Sequence, residues 1–176
     1  MRKFGVFLII VVLFFSMGCS KTTDKQPKPE IGKKEQIVQE VKVTIQRMHV
    51  DGDHLTRVQV TRKKEETAAK TALLALLELP SDKNYFNPIA NSTIKLLSFV
   101  VQENGIAVVN FNEELKKIKG GSLFEQLFIG SIVNTLTENQ EIKAVKILVE
   151  GKPIETLTGH LDLTEPLKRN ENLLHK

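Results

Sequence analysis

The sequence predicts an α+β fold: a small mixed sheet with two main helices packed on one face. Segments with strand periodicity come in pairs joined by turn residues, and two longer stretches carry helix periodicity. About 130 residues follow a polar stretch near the N-terminus, enough chain to close a core without metals or disulfides. One domain is expected, spanning residues 39–169, with a tail at 170–176.

The elements follow in order. Val41 to Val50 alternates Val41, Val43 and Ile45 with Lys42, Thr44 and Gln46, the period-two pattern of a half-buried strand. Asp51-Gly52-Asp53-His54 is a turn and Leu55 to Arg62 its return strand. Glu65 to Leu79 is rich in Ala and Leu, opens with acids that suit a helix N-terminus, and stops at Pro80. Thr93 to Gln102 and Ile106 to Asn112 flank Asn104-Gly105, a strong hairpin signal. Asn112 suits a helix cap followed by Glu113 and Glu114. After Gly120-Gly121, Leu123, Leu127, Phe128, Ile132 and Leu136 recur at three- and four-residue steps, an amphipathic helix seated on an apolar surface. Ile142 to Leu157, turning at Glu150-Gly151-Lys152, reads as a last hairpin.

The N-terminal region has a separate logic. Arg2 and Lys3 precede an uncharged run, Phe4 to Met17, too short for a permanent membrane span and right for a secretory signal. Gly18 precedes the only cysteine, Cys19, and Ser16-Met17-Gly18-Cys19 resembles a bacterial lipobox, although Ser16 replaces the usual leucine. The expectation is a signal at 1–18, cleavage between Gly18 and Cys19, palmitate-type lipidation of Cys19, and a location on the outer face of the cell membrane. The alternative is an ordinary secretory signal with an incidental cysteine. Residues 19–38 hold Pro27, Pro29, Gly32 and many lysines, with little apolar surface, and are expected to be a disordered tether.

The formal charge of +4 does not indicate nucleic acid. Between Gln39 and Lys168 there are 16 Lys and Arg against 17 Asp and Glu, so the folded part has no basic surplus to form a phosphate-binding face. Nor does a catalytic pattern emerge. Ser122 and Ser131 lie in no nucleophile elbow, and His49, His54, His160 and His175 are scattered, without the ligand spacing of a zinc site. Asp51-Gly52-Asp53 lacks the later acids of a calcium loop. No catalytic residues, metal, cofactor or small-molecule substrate are expected.

The order of segments resembles the GerMN domain, the sporulation and germination module of envelope lipoproteins. The resemblance rests on Thr71 to Pro80, Gly105 to Leu115 and Ile132 to Lys152, and most specifically on Thr135-Leu136-Thr137, Val145, Val149, Gly151, Gly159-His160, Asp162, Pro166 and Arg169. The chain departs from the family pattern between Pro80 and Thr93. The resemblance implies a fold like the ring-building motifs of secretion machines and a non-enzymatic role in sporulation or germination, through protein partners or self-association. Binding of a small ligand or wall glycan is the alternative, and the absence of Trp counts against sugar stacking. The hairpin at Ile142–Leu157 is expected to expose a sheet edge, with Lys143, Lys146 and Glu155 as an interface.

Overall fold

The computed structural model describes residues 39–175. The signal, Gly18, Cys19 and the whole of the expected tether lie outside the described residues. Among the described residues, seven strands form two sheets. β1 (Glu40–His49) pairs antiparallel with β2 (Leu55–Lys63) along its whole length, from Glu40 opposite Lys63 to Met48 opposite Leu55. After α1 (Ala68–Glu78), a two-residue β3 (Tyr85–Phe86) joins the far end of β1, giving the order β2-β1-β3. The second sheet is mixed. β4 (Leu96–Val101) and β5 (Ile106–Phe111) are antiparallel, β5 and β6 (Ala144–Val149) are parallel, and β7 (Lys152–Pro153) turns back on β6.

The α+β class is as expected, but the strands divide between two sheets, and α2 (Ser122–Leu136) is the reason. Every residue from Leu127 to Leu136 is buried. A helix covered on all sides needs more than one apolar surface. It touches β1, α1 and β6. The sequence pattern suggested a single apolar stripe beginning at Leu123, but Leu123 is 49% exposed. α1 also lies against β1 and β2. The inward residues of the mixed sheet (Ala107, Val109, Phe111, Val145, Ile147 and Val149) complete the core.

Local chemistry sets the ends of the elements. α1 starts later than its acids suggested, because the Thr67 hydroxyl accepts from the Lys70 N–H at 3.0 Å and so caps the helix. Asn112 precedes only a 3₁₀ turn (Glu113–Lys117) and does not cap it with its side chain. Its amide instead accepts from the Lys95 N–H and donates to the Thr93 carbonyl, closing the hairpin ladder beyond β4. The Asn104-Gly105 turn has three loop residues: the Gly105 N–H donates to Gln102 and the Gln102 N–H to Ile106, with Gly105 at φ +84°. That is a type I turn closed by a glycine bulge. Both residues of the β6–β7 turn, Glu150 and Gly151, have positive φ (49° and 73°), the type I′ signature.

Gly105 yields a test. A Cβ there would lie 2.9 Å from the Glu141 carbonyl oxygen, on a backbone that L residues rarely adopt. Gly105→Ala is expected to cost about 2 kcal/mol, read as a lowered urea midpoint with an unchanged slope. An unaltered midpoint would mean the turn relaxes freely.

Residues 170–175 are part of the domain, contrary to the expected tail. Leu173 is 9% exposed in the core, the Leu174 backbone bridges to Leu55, and the His175 N–H donates to the Leu55 carbonyl at 3.0 Å. Two leucines in a polar sequence suffice, because the buried amide of Asn134 holds Asn170 at both its N–H and its carbonyl.

Candidate functional site

Glu125 is a fully buried carboxylate on the first turns of α2. Its Oε1 accepts from the Thr156 hydroxyl and from the N–H groups of Leu157 and Thr158, at 2.8, 2.8 and 2.9 Å. Its Oε2 accepts from the Thr158 hydroxyl and from the N–H groups of His160 and Leu161, at 2.8, 2.8 and 3.2 Å. Burial alone would push this carboxyl up, but the donors from Thr158, Thr156 and Leu157 outweigh it and hold the pKa down at about 2. With both oxygens saturated by protein donors, the group stays ionised and has no accessible lone pair for a substrate. It acts as a clamp that shapes the 156–161 loop.

A second knot lies at the other end of α2. Glu138 receives Gln46, Arg57 and Arg169 on one oxygen, at 2.9, 2.8 and 2.9 Å. Arg169 also donates to the Asn134 carbonyl, and the Thr135 hydroxyl accepts from the Gln46 N–H at 2.8 Å. Asp162 accepts from both the N–H and the hydroxyl of Thr164, and the Thr164 group holds its carboxyl below the usual range. Thr135, His160 and Arg169, on which the family resemblance rests in part, thus connect α2, the first sheet and the chain after β7, while Gly159 and Asp162 close turns within that chain. The irregular segment between Pro80 and Thr93 has its own anchors. The Asn87 amide donates to the carbonyls of Leu76, Leu77 and Leu79 at the end of α1, and Arg47 pairs with Asp82 at 2.8 Å.

In the proposed interface hairpin, β6 is not an edge: it runs inside its sheet, between β5 and β7, and Val145 exchanges both backbone bonds with Leu167 at 2.8 Å. The two-residue β7, exposed at both positions, is the end strand on that side. The Lys146 ammonium is turned onto the Leu163 and Thr164 carbonyls. Lys143 and Glu155 are exposed, but Glu155 sits in the loop after β7 and its carbonyl accepts from the Leu163 N–H. The chain folds back over this side, which no pattern before Gly159 announced.

The longer edge of the mixed sheet is β4, at the other end of the order, and among the described residues no strand pairs with its outer side. Its six residues, LLSFVV, carry no charge, and Leu97, Val100 and Val101 are 48%, 57% and 37% exposed. A long uncharged apolar run was legible in the sequence; its lack of a neighbour was not. Hollows between elements vary in size. One beside Pro88 and Ile89 measures about 10 Å³ and one between α2 and the Leu161–Leu173 segment about 90 Å³, while more open ones beside β1 and α1 and beside Leu55 and His175 measure about 210 and 470 Å³.

Comparison with known proteins places the chain. The sequence profile of the Germane family, described as sporulation and spore germination, matches residues 33–155. The chain belongs to the Germane family. Solved GerMN structures share this domain's fold. The tandem GerMN domains of the sporulation protein GerM from Bacillus subtilis superpose with a TM-score of 0.59 at 20% identity, over 73% of this chain and 46% of that one. The chain thus spans under half of that tandem structure. The first GerMN domain alone matches with a TM-score of 0.58 at 20% identity, over 72% of this chain and 98% of that domain. A candidate lipoprotein from Clostridium perfringens matches at 0.52 and 22% identity, over 79% of this chain and 95% of that one. No curated protein sequence matches. At these identities the structural likeness establishes the fold alone, so the role of this Germane domain has to be argued from its own surfaces.

Proposed function

We propose that this Germane-family protein is an envelope lipoprotein, anchored outside the cell membrane through Cys19, whose domain acts by protein contact in sporulation or spore germination and carries out no catalysis. The observation that carries this reading is the free β4 edge. An uncharged strand with three exposed aliphatic side chains and unpaired backbone groups favours strand or side-chain docking by another protein surface. The buried acid of the domain supports the non-enzymatic part, because its lone pairs are all used within the fold. The small-ligand alternative would have to use the open hollows of about 210 and 470 Å³, which are lined more by polar and charged side chains than by the apolar ones of ordinary ligand sites.

A second copy of the chain is the simplest partner. β4 of one protomer would meet a different face of the next, the heterologous contact that a ring requires. Anchoring at Cys19 confines copies to a plane and raises their effective concentration, so a weak edge contact suffices. The test joins both parts. Protein extracted from membranes should lack residues 1–18 and carry fatty acids on Cys19, and Cys19→Ala should remain an unprocessed precursor. A photo-crosslinker placed at Val100 should trap dimers and higher species of the anchored protein, and Leu97→Lys with Val101→Lys should abolish them while the domain stays folded. An unlipidated mature N-terminus elsewhere defeats the anchor. Assemblies indifferent to the two lysines defeat β4 as the contact.

A further inference from the structure

The fold gathers three of the four histidines that the sequence scatters. His49 ends β1 and His54 follows the turn, and their rings stack with centroids 4.5 Å apart. His175 arrives from the far end of the domain and places its ring 4.6 Å from that of His54. Asp53 stands in the same group: its Oδ1 lies 2.5 Å from His54 Nδ1, and the bond from His54 holds its carboxyl below the usual range. Asp51 Oδ2 is 3.2 Å from His49 Nδ1. One donor atom from each of His49, Asp53 and His54 lies within 4.8 Å of the others.

We infer that this cluster is a binding site for a divalent transition-metal ion of the zinc type, with His49, His54 and Asp53 as the primary donors and His175 as the fourth. The donor chemistry selects the ion. Imidazoles with one carboxylate suit zinc, copper or nickel, whereas calcium and magnesium take oxygen-rich sites. Metal–ligand bonds of about 2.0–2.2 Å put donors in a tetrahedral site about 3.4 Å apart. Side-chain rotation would therefore have to draw the widest pair of donors in by up to roughly 1.4 Å, part Asp53 Oδ1 from the His54 Nδ1 it now bonds at 2.5 Å, and break the parallel ring stack, because an ion cannot lie in the planes of two parallel rings at once.

The backbone is already held for that movement. The His49 N–H donates to the His54 carbonyl at 3.0 Å, the Gly52 N–H to the His49 carbonyl at 3.0 Å, and the His175 N–H to the Leu55 carbonyl at 3.0 Å. Ligand backbones fixed by a hairpin and a bridge lose little entropy on binding. The site is also reachable, since the side chains of His49 and His54 are 28% and 18% exposed and His175 is at the surface. An ion held there would tie the β1–β2 turn to the last residues of the domain, which are otherwise joined by the Leu55–Leu174 bridge and the His175 bond.

The test uses the full-length chain in detergent, purified without a histidine tag and carrying Cys19→Ser to remove the only thiol. Titration calorimetry with zinc chloride should give one saturable site of micromolar or tighter affinity, and thermal unfolding should shift upward with zinc. His54→Gln and His175→Ala should each weaken binding by about tenfold or more. His160→Gln, altering the histidine outside the cluster, should bind as the parent does. Imidazole nitrogen resonances should move on addition of zinc for His49, His54 and His175 and stay still for His160. If His54→Gln fails to fold, His175→Ala carries the test, since that side chain is exposed. Absence of saturable binding below millimolar zinc, binding retained by both variants, or equal binding of calcium would overturn the site.

Discussion

Glu125→Ala should remove most of the stability of the domain, about 4 kcal/mol or more, because it leaves four backbone N–H groups and two threonine hydroxyls facing a buried void. A folded domain of this size has only about 5–15 kcal/mol to lose. Glu125→Gln is the sharper experiment. It keeps the shape and one acceptor oxygen, but turns an NH₂ toward groups that are themselves donors. The ionised state also gives a pH signature. The folded carboxyl titrates at about 2, below the ordinary 4.5, so its contribution is fully present above pH 4.5 and is lost as pH falls from there through about 2. The difference amounts to about 3 kcal/mol at 1.36 kcal/mol per pH unit. Asp53, Asp82, Glu114 and Asp162 are also lowered and act in the same direction, so the quantity to measure is the parent minus Glu125→Gln across that window. Parallel stability curves for the two proteins would show that Glu125 is not the clamp described.

The second large effect concerns the placement of α2. Leu127 is fully buried and Leu123, one turn earlier, is 49% exposed. Leu127→Asp should unfold the domain, since a carboxylate in the core can be neither solvated nor paired; the cost exceeds about 4 kcal/mol. Leu123→Asp should change stability by no more than about 0.5 kcal/mol. Circular dichroism during urea unfolding of a chain beginning at Ile37 reads both. If both variants unfold, Leu123 is covered in solution by something the isolated fold does not contain. If neither does, the helix is not central.

What the sequence disclosed and what it hid divide along a physical line. Local signals were sound. The alternation of Val41, Val43 and Ile45 marked β1, the turn residues marked both long hairpins, and Gly120-Gly121 marked the start of α2. Signals that depend on distant partners were silent. β3 is two residues long and exists only because Met48 and His49 accept it as a neighbour. Glu125 resembles any solvated acid on the polar side of a helix until its donors arrive from 31 to 36 residues away. The return of Leu167 onto Val145, between Lys143 and Lys146, is likewise a contact that periodicity cannot foresee. His49 and His54 could have been paired from the hairpin register alone, but nothing local pointed to His175. The family match itself ends at residue 155, so the contacts by which His160 and Arg169 join the 156–170 segment to α2 and the first sheet come from the structure alone.

That joining bears on how the protein is made. The clamp loop at 156–161, Arg169 and Leu173 are the last parts of the domain to be synthesised, and they complete the surroundings of Glu125, Glu138 and Leu55 on elements made much earlier. A nascent chain still lacking them has α2 with a bare buried acid and a first sheet without its final cover. Domains fold as units, at synthesis rates of about 5–20 residues per second. At that rate the roughly twenty residues from 156 to 175 take about 1–4 s to make, an interval in which Glu125 and Glu138 still lack their distant partners.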